Sequence, residues 1–541
     1  MPNLRVCRFL LMSSTSFAVS DRLWAEYEIS DRDLDFIYNL LLDREVPLTP
    51  AEMTRALVEE RLASWVAEAE AERASDLPSY LPTEGYQVGQ TLRFPQLGGR
   101  AGRVTAVRPG ENPALGTFEV IAVSVDDEPS REFAARLREH ALTRALAEAE
   151  TPEGEVSPET ILQVHGRQLE TKLVERLAKT LDIVRIAGRW FPSQLLAEVN
   201  VGHLNLAEAV LDMAGGGPLP TGDLLPHLGL PNSVDPLLAA FSVDYAMQED
   251  ERFDEVGPAG QVLWYLRRLE PPEVLFCPPR LEPARVATTA PALGDASLAL
   301  CRQLDDELSE FPSLPSEEDA VRLALLFPHW RVGTLPLSSR LSPLFPTAYE
   351  APRIRFILVD GHSGERFPGW VVRAERYVFG LEEWYRKYEV PTGGLIEVRR
   401  GQAPGEVIVL VVDRRRRTEW IRTVTIGDGG QIGFSMLKQP VGAAFDDQMV
   451  VGLPDLAAMD QAWLSGAQRK MALDRLVPLV FRELAKLNPQ SAVHGQALYS
   501  GVNVLQRLPP EAILGELESQ PFFVHVGDHY WRLDEAAWSQ R

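Results

Sequence analysis

The chain has 541 residues, a formal net charge of −23, 45% hydrophobic and 24% charged residues; this is a globular composition longer than one core fills, so several domains are expected. No run approaches the roughly 18 apolar residues of a spanning helix, and so acidic a surface repels nucleic acid unless one module is locally basic. Three cysteines, Cys7, Cys277 and Cys301, lie far apart without CxxC spacing, which argues against a disulfide framework or zinc site and fits a reducing cytoplasm.

Residues 1–20 read as a disordered tail: Arg5 and Arg8 precede an apolar run too short for a secretory segment, and translation from Met1 or from Met12 fits equally. Residues 21–76 predict a helical, winged-helix-like module. Leu34, Ile37, Leu40 and Leu41 recur at helical spacing, and Thr49-Pro50-Ala51-Glu52 opens a second helix as a capping box. Six basic residues against fifteen acidic ones in this module leave nothing to grip DNA. Residues 77–130 predict a small SH3/KOW-like β-barrel from short apolar runs broken by Gly, Pro and Asn. There Gly99-Arg100-Ala101-Gly102-Arg103-Val104 looks like the barrel turn, or simply a Gly-supported hairpin turn, and it lacks the ending of a phosphate loop.

Residues 131–192 predict a winged helix: a helix over 131–150, a second opened by Ser157-Pro158, a turn at His165-Gly166-Arg167, a third helix to Leu181, and a hairpin to Phe191. Residues 193–271 predict another, with helices at Gly222–Leu228 and Val234–Met247. A Pro-rich linker (272–295) and a helical connector (296–345) follow. A β-barrel-like domain (346–452) has strands expected at Arg353–Val359, Trp370–Ala374, Gly394–Val398, Val407–Val412 and Trp420–Ile426. A winged-helix-like module closes the chain (453–541). The fold class is thus multidomain α+β, with repeated winged helix-turn-helix modules and two small β-barrel-like domains.

Two signatures recur. Helix openers stand at Thr49-Pro50, Ser157-Pro158 and Pro509-Pro510, with Pro220-Thr221 as a looser form. A wing pattern of two apolar residues, Gly and Trp runs Ile183/Ile186/Gly188/Trp190, Phe253/Val256/Gly257/Trp264 and Phe523/Val526/Gly527/Trp531. Glycine turns the hairpin, the apolar residues face the helices, and tryptophan closes the core. These openers and wings resemble HARE-type helix-turn-helix modules, a fold also found in the acidic delta subunit of bacterial RNA polymerase. The resemblance implies a winged-helix fold and a role near DNA or the transcription apparatus. In the closing module about 18 residues separate opener from wing glycine, so its third helix is expected to be short or replaced.

Charge singles out two places. From Glu155 to Pro192 six basic residues meet five acidic ones; Lys172, Arg176 and Lys179 share one helix face, and Arg185 and Arg189 extend onto the wing, as a recognition helix requires. Glu170 and Glu175 dilute that field, and a solvated amphipathic helix has the same pattern. From Leu341 to Pro440 fifteen basic residues meet twelve acidic ones. Here Arg414, Arg415, Arg416 and Arg417 end a hairpin next to Trp420, a mixture suited to backbone and stacking contacts, or to a solvated turn. The helix, Pro-x-Gly, strand order in this region resembles plant-type DNA-binding pseudobarrels.

Nine histidines are scattered without HExxH spacing, and His525 and His529, four apart, flank a wing glycine rather than line a helix face; no GxSxG, Walker lysine or GxGxxG follows a strand. Asp360-Gly361-His362-Ser363-Gly364-Glu365 reads as a polar hairpin loop. The expectation is a cytoplasmic, non-enzymatic DNA- or transcription-associated binding protein without metal or cofactor. Its partners would be duplex DNA or a protein such as RNA polymerase, with no membrane and no small-molecule substrate. A protein-only interaction scaffold is the alternative.

Overall fold

The computed structural model describes residues 24–539 except 74–76, 95–99, 112–116, 126–129, 138–156, 181, 232, 286–292, 315–317, 404, 428–430 and 467–468. The chain is mixed α+β and divides into two compact units, residues 1–185 with 189–196, and 186–188 with 197–541. No described helix is long and apolar enough to cross a membrane. The expected tail and alternative start at Met12 lie outside the described residues.

In the first unit, helix α1 (Asp31–Arg44) starts at a capping box between Ser30 and Asp33. Asp33 is fully buried, where Arg61 Nε donates to it at 2.6 Å and Tyr27 Oη at 3.0 Å. Helix α2 (Pro50–Arg73) starts at the predicted reciprocal pair: Thr49 N donates to Glu52 at 2.7 Å and Glu52 N to Thr49 Oγ1 at 3.2 Å. Helix α3 (Pro158–Leu177) is continuous, against the expected turn at 165–167. Its buried stripe of Ile161, His165, Leu169, Leu173 and Leu177 repeats every four residues and packs on α2; that burial outweighs the roughly 1 kcal/mol that Gly166 costs a helix. Strands β5 (Ile183–Ile186) and β6 (Arg189–Pro192) pair, and Trp190 of β6 bridges to Leu48. Segments 21–76 and 131–192, read from sequence as separate modules, therefore pack together.

Between α2 and α3 lies an antiparallel meander of β1 (Thr91–Phe94), β2 (Arg100–Pro109), β3 (Glu119–Ser124) and β4 (Arg131–Ala135), in that order. Its core holds Tyr80, Tyr86, Leu92, Phe94, Val104, Ile121 and Val123. Strand β4 stands where the sequence predicted the start of a helix; residues 138–150 of that prediction lie outside the described residues. Gly102 sits within strand β2 rather than in a turn, and a Cβ there would meet Val123 at 2.6 Å.

The second unit begins with α4 (Val201–Met213), β7 (Leu219–Pro220), α5 (Thr221–Leu228), α6 (Pro236–Gln248), β8 (Phe253–Glu255) and β9 (Leu263–Leu266), with sheet order β7-β9-β8. The Pro-rich stretch is no free linker before residue 286: it forms α7 (Pro272–Leu275), buries Leu281 and pairs Arg280 with Asp460 at 2.8 Å. The expected helical connector holds α8 (Asp295–Leu304), β10 (Ala320–Ala324), α9 (Phe327–Val332) and β11 (Thr334–Pro336). Strands β10 and β11 are the two edges of a seven-stranded mixed sheet, β10-β15-β16-β12-β13-β14-β11. The rest of that sheet is β12 (Arg353–Asp360), β13 (Arg366–Val372), β14 (Tyr377–Phe379), β15 (Leu395–Arg400) and β16 (Glu406–Val411), with α10 (Glu382–Lys387) after β14. Strictly alternating burial in β12 and β16 puts one face on the core. Strands β17 (Arg417–Ile426) and β18 (Ile432–Val441) form a separate two-stranded ribbon.

The chain closes with α11 (Leu456–Leu464), α12 (Leu473–Ala485), β19 (Ala492–His494), α13 (Gly495–Leu505), α14 (Pro510–Ser519), β20 (Phe523–Gly527), β21 (Tyr530–Leu533) and α15 (Glu535–Trp538). The sheet order is β19-β21-β20. The third helix expected to be short or missing is present: Pro509-Pro510 opens α14, and the second helix starts earlier, at Gly495. Ser157-Pro158 likewise opens the last helix of its set, not the second.

One order of elements, helix, short strand, helix, helix, two strands, thus occurs at α4–β9 and at α12–β21, and α1–β6 follows it with an isolated bridge at Leu48 in place of the short strand and the β1–β4 meander inserted between α2 and α3. In each, tryptophan is the second residue of the last strand and faces an apolar residue of the first: Trp190 with Leu48, Trp264 with Leu219, Trp531 with Val493. All three tryptophans are buried. Proline holds the first position of the third helix each time, at Pro158, Pro236 and Pro510. The wing glycines differ: Gly188 and Gly527 take positive φ in their turns, whereas Gly257 does not, and Val526 is 44% exposed where the pattern placed it inward.

Candidate functional site

The basic face predicted on α3 is there only in part: Lys172 and Arg176 lie on the helix and are paired, whereas Lys179 falls beyond its end at Leu177. Lys172 Nζ donates to the Tyr27 carbonyl at 2.6 Å and meets Glu28 at 3.1 Å, and Arg176 pairs with Asp31 at 2.5 Å. Arg189 donates to the Pro47 carbonyl at 3.0 Å, and Arg185 lies over the Trp190 ring at 5.5 Å. Lys179 is exposed. The acidic start of α1, remote in sequence, comes alongside α3 and takes the charges that spacing alone assigned to phosphates.

The third helices of the other two copies are poorer still in cations. Helix α6 has no Lys or Arg and exposes Leu237, and α14 has none and is mostly buried.

The arginine turn presents a different surface. Arg414 lies over the Tyr388 ring at 4.7 Å; Arg415 and Arg417 meet Asp413 at 3.5 and 2.5 Å, and Arg416 meets Glu389 at 2.9 Å. All four side chains are exposed, and such pairs contribute only about 0–1 kcal/mol each, so a phosphate can displace them. Trp420 is 60% exposed, directly opposite Lys438, whose ammonium sits 5.5 Å from the ring. Leu437, opposite Ile421, is exposed on the other face, and Met436, opposite Arg422, is exposed on the same face as Trp420. On the same ribbon face Val424, Phe434 and Ile432 enter the core, so the ribbon is anchored at one end and open at the other. The contributions of Met436, Leu437 and Lys438 went unnoticed in the sequence; the register that pairs Ile426 with Ile432 is what sets Lys438 opposite Trp420.

The Asp360–Glu365 segment is the β12–β13 connection, as the sequence suggested. Asp360 accepts from Ser363 Oγ at 2.6 Å, Tyr388 Oη at 2.6 Å and Lys387 Nζ at 2.9 Å. Burial opposes its charge, yet these hydrogen bonds hold its carboxyl well below the usual range, and they raise Lys387. A lysine locked as ammonium is no general base for Ser363, so the geometry is that of a braced loop.

Deeper in the second unit, Arg507 is buried between Asp306 and Glu307, donating to Glu307 at 2.6 Å. His329 reaches Glu307 at 3.0 Å through Nε2 and Thr334 Oγ1 at 2.9 Å through Nδ1. Every ring nitrogen and guanidinium partner here is internal, which suits a structural brace. Burial pushes the Cys277 and Cys301 thiols up to about 12, far from a thiolate nucleophile. Among the described residues no group of three His, Cys, Asp or Glu side chains is placed to hold a metal ion.

Compared with family models, curated proteins and solved structures, the chain matches none.

Proposed function

We propose that the chain is a non-enzymatic binding protein associated with DNA or transcription, built on three winged-helix modules, whose nucleic-acid contact is the β17–β18 ribbon with the arginine turn. The winged-helix reading is supported by the thrice-repeated element order and its shared tryptophan register. The contact is supported by one observation above all: Trp420, 60% exposed on an anchored ribbon, stands between Lys438 and the exposed Arg414–Arg417 run. Cations follow a phosphate backbone while an open aromatic face stacks on bases. The modules themselves serve packing and protein docking.

The test is fluorescence anisotropy with short labelled single-stranded and duplex DNA at about 50 and about 200 mM salt. Replacing Arg414–Arg417 by alanine should weaken binding at least about tenfold and flatten the salt slope by roughly three to four. Trp420→Ala should cost about 1–3 kcal/mol, mainly on single strands. A wild-type chain that binds neither DNA at the lower salt sinks this assignment. The protein-only scaffold then takes its place, a reading supported by the cation-free helices α6 and α14.

A further inference from the structure

A cavity of about 200 Å³ opens in the second unit, where the segment after α8, strands β10 and β15, the 446–449 loop and the start of α13 converge. Its size is below the roughly 300–1,000 Å³ of drug-sized sites and well above the about 30 Å³ share of one water. The occupant it fits is therefore a single ring or a small amide. Apolar walls come from Leu323, Leu326, Leu395 and Met449.

The polar lining is uneven in a telling way. Its charges are already balanced from within: Asp306 and Glu307 face Arg507, Arg322 faces Glu397 at 2.6 Å, Asp305 accepts from Ser338 at 2.5 Å, and Asp446 Oδ1 accepts the Gln448 and Met449 amides at 2.8 and 3.0 Å. Among the buried polar residues of the lining Gln496 is the exception. It is 7% exposed and lines the cavity, and its backbone N–H is bound by His494 Nδ1 at 3.2 Å, yet its carboxamide has no hydrogen-bond partner among the described residues. Lining the cavity without a side-chain partner, that carboxamide is open to hydrogen-bond an occupant. Carboxamides offer a donor beside an acceptor, which matches the edge of an uncharged cyclic amide or amidine.

We propose that this cavity is a binding site for a neutral nucleobase-type ring, held edge-on by Gln496 between apolar walls. The ring can arrive as a free base or as a base turned out of a polynucleotide, and the same site recognises both. Because its walls belong to the sheet, the 446–449 loop and the closing module, an occupant ties those elements together.

The experiment is saturation-transfer difference NMR on the full chain with adenine, hypoxanthine, cytosine and uracil, and separately with a short single-stranded DNA. Each is repeated with Gln496→Leu, which removes the amide, and with Leu323→Trp, which fills the space; unchanged circular dichroism and melting temperature certify folding. Ring-proton saturation by at least one free base, lost at least about tenfold in both variants, is the expected result and identifies a small-molecule ligand. Saturation of the strand alone, surviving alanine at Arg414–Arg417 but lost in Gln496→Leu, identifies the base of a polynucleotide instead. No saturation with any probe, or saturation indifferent to both variants, overturns the proposal.

Discussion

Asp244 illustrates how one buried carboxyl sets a pH response. It accepts from Trp264 Nε1 at 2.8 Å and from Thr221, so it ties the second helix of its module to the last strand through the third. Burial still dominates, raising its pKa from 3.8 to about 6. Burial likewise lifts Glu255 to about 7, and burial with the charge of Asp254 lifts Glu270 to about 8, since Arg353 cannot fully serve both carboxylates. All three are raised acids, so the folded state holds protons that the unfolded chain releases. Their contribution is complete below about pH 4 and disappears as pH climbs through about 6 to 8. The melting temperature of the second unit should therefore rise from pH 8 to pH 5.5, and Asp244→Asn should flatten the lower part of that curve. Calorimetry across the range decides it; a flat wild-type curve refutes the assignment. Arg507 behaves oppositely: Arg507→Met leaves Asp306 and Glu307 buried and unpaired, at about 3–5 kcal/mol. Lysine should not rescue, because it lacks the planar fork that serves two carboxylates. Urea titration of the second unit, with both variants near wild type, would exclude this role.

Among elements, the three last strands make the clearest comparison. Trp190, Trp264 and Trp531 occupy one register position in three sheets, and each truncation to alanine should cost about 3–5 kcal/mol. Trp190→Ala should destabilise the first unit and leave the second unaffected, while the other two should do the reverse. Limited proteolysis with fragment identification separates these outcomes; equal loss in both units after any one change contradicts independent modules. These tryptophans were legible in sequence because their spacing from a turn glycine is local. The helix openers were visible too, but their ranks in the modules were not. Thr49 starts a second helix and Ser157 a third, with similar local chemistry, and only packing tells them apart. The turn expected at Gly166 failed for the same reason, a buried four-residue stripe overriding a local preference.

At the scale of the whole molecule, composition and pattern determined the mixed α+β class, the threefold wing signature, most strands of the large sheet, and the polar loop at Asp360–Glu365. Each of these follows from short-range periodicity or turn chemistry, which a linear sequence carries explicitly. Tertiary structure alone decided that residues 21–76 and 131–192 pack together around an inserted meander, and that β10 and β11 leave the expected connector to edge the large sheet. It also decided the charge map. Lys172, Arg176 and Arg189 meet Glu28, Asp31 and the Pro47 carbonyl, partners about 140 residues away that no spacing rule reaches. The buried brace of Asp306, Glu307, His329 and Arg507, and the Gln496 side chain that has no partner among the described residues, were invisible for that reason as well. Local pattern records which face of an element is apolar, whereas the partner of a charge or an amide is set by which distant segments the fold brings within about 3 Å.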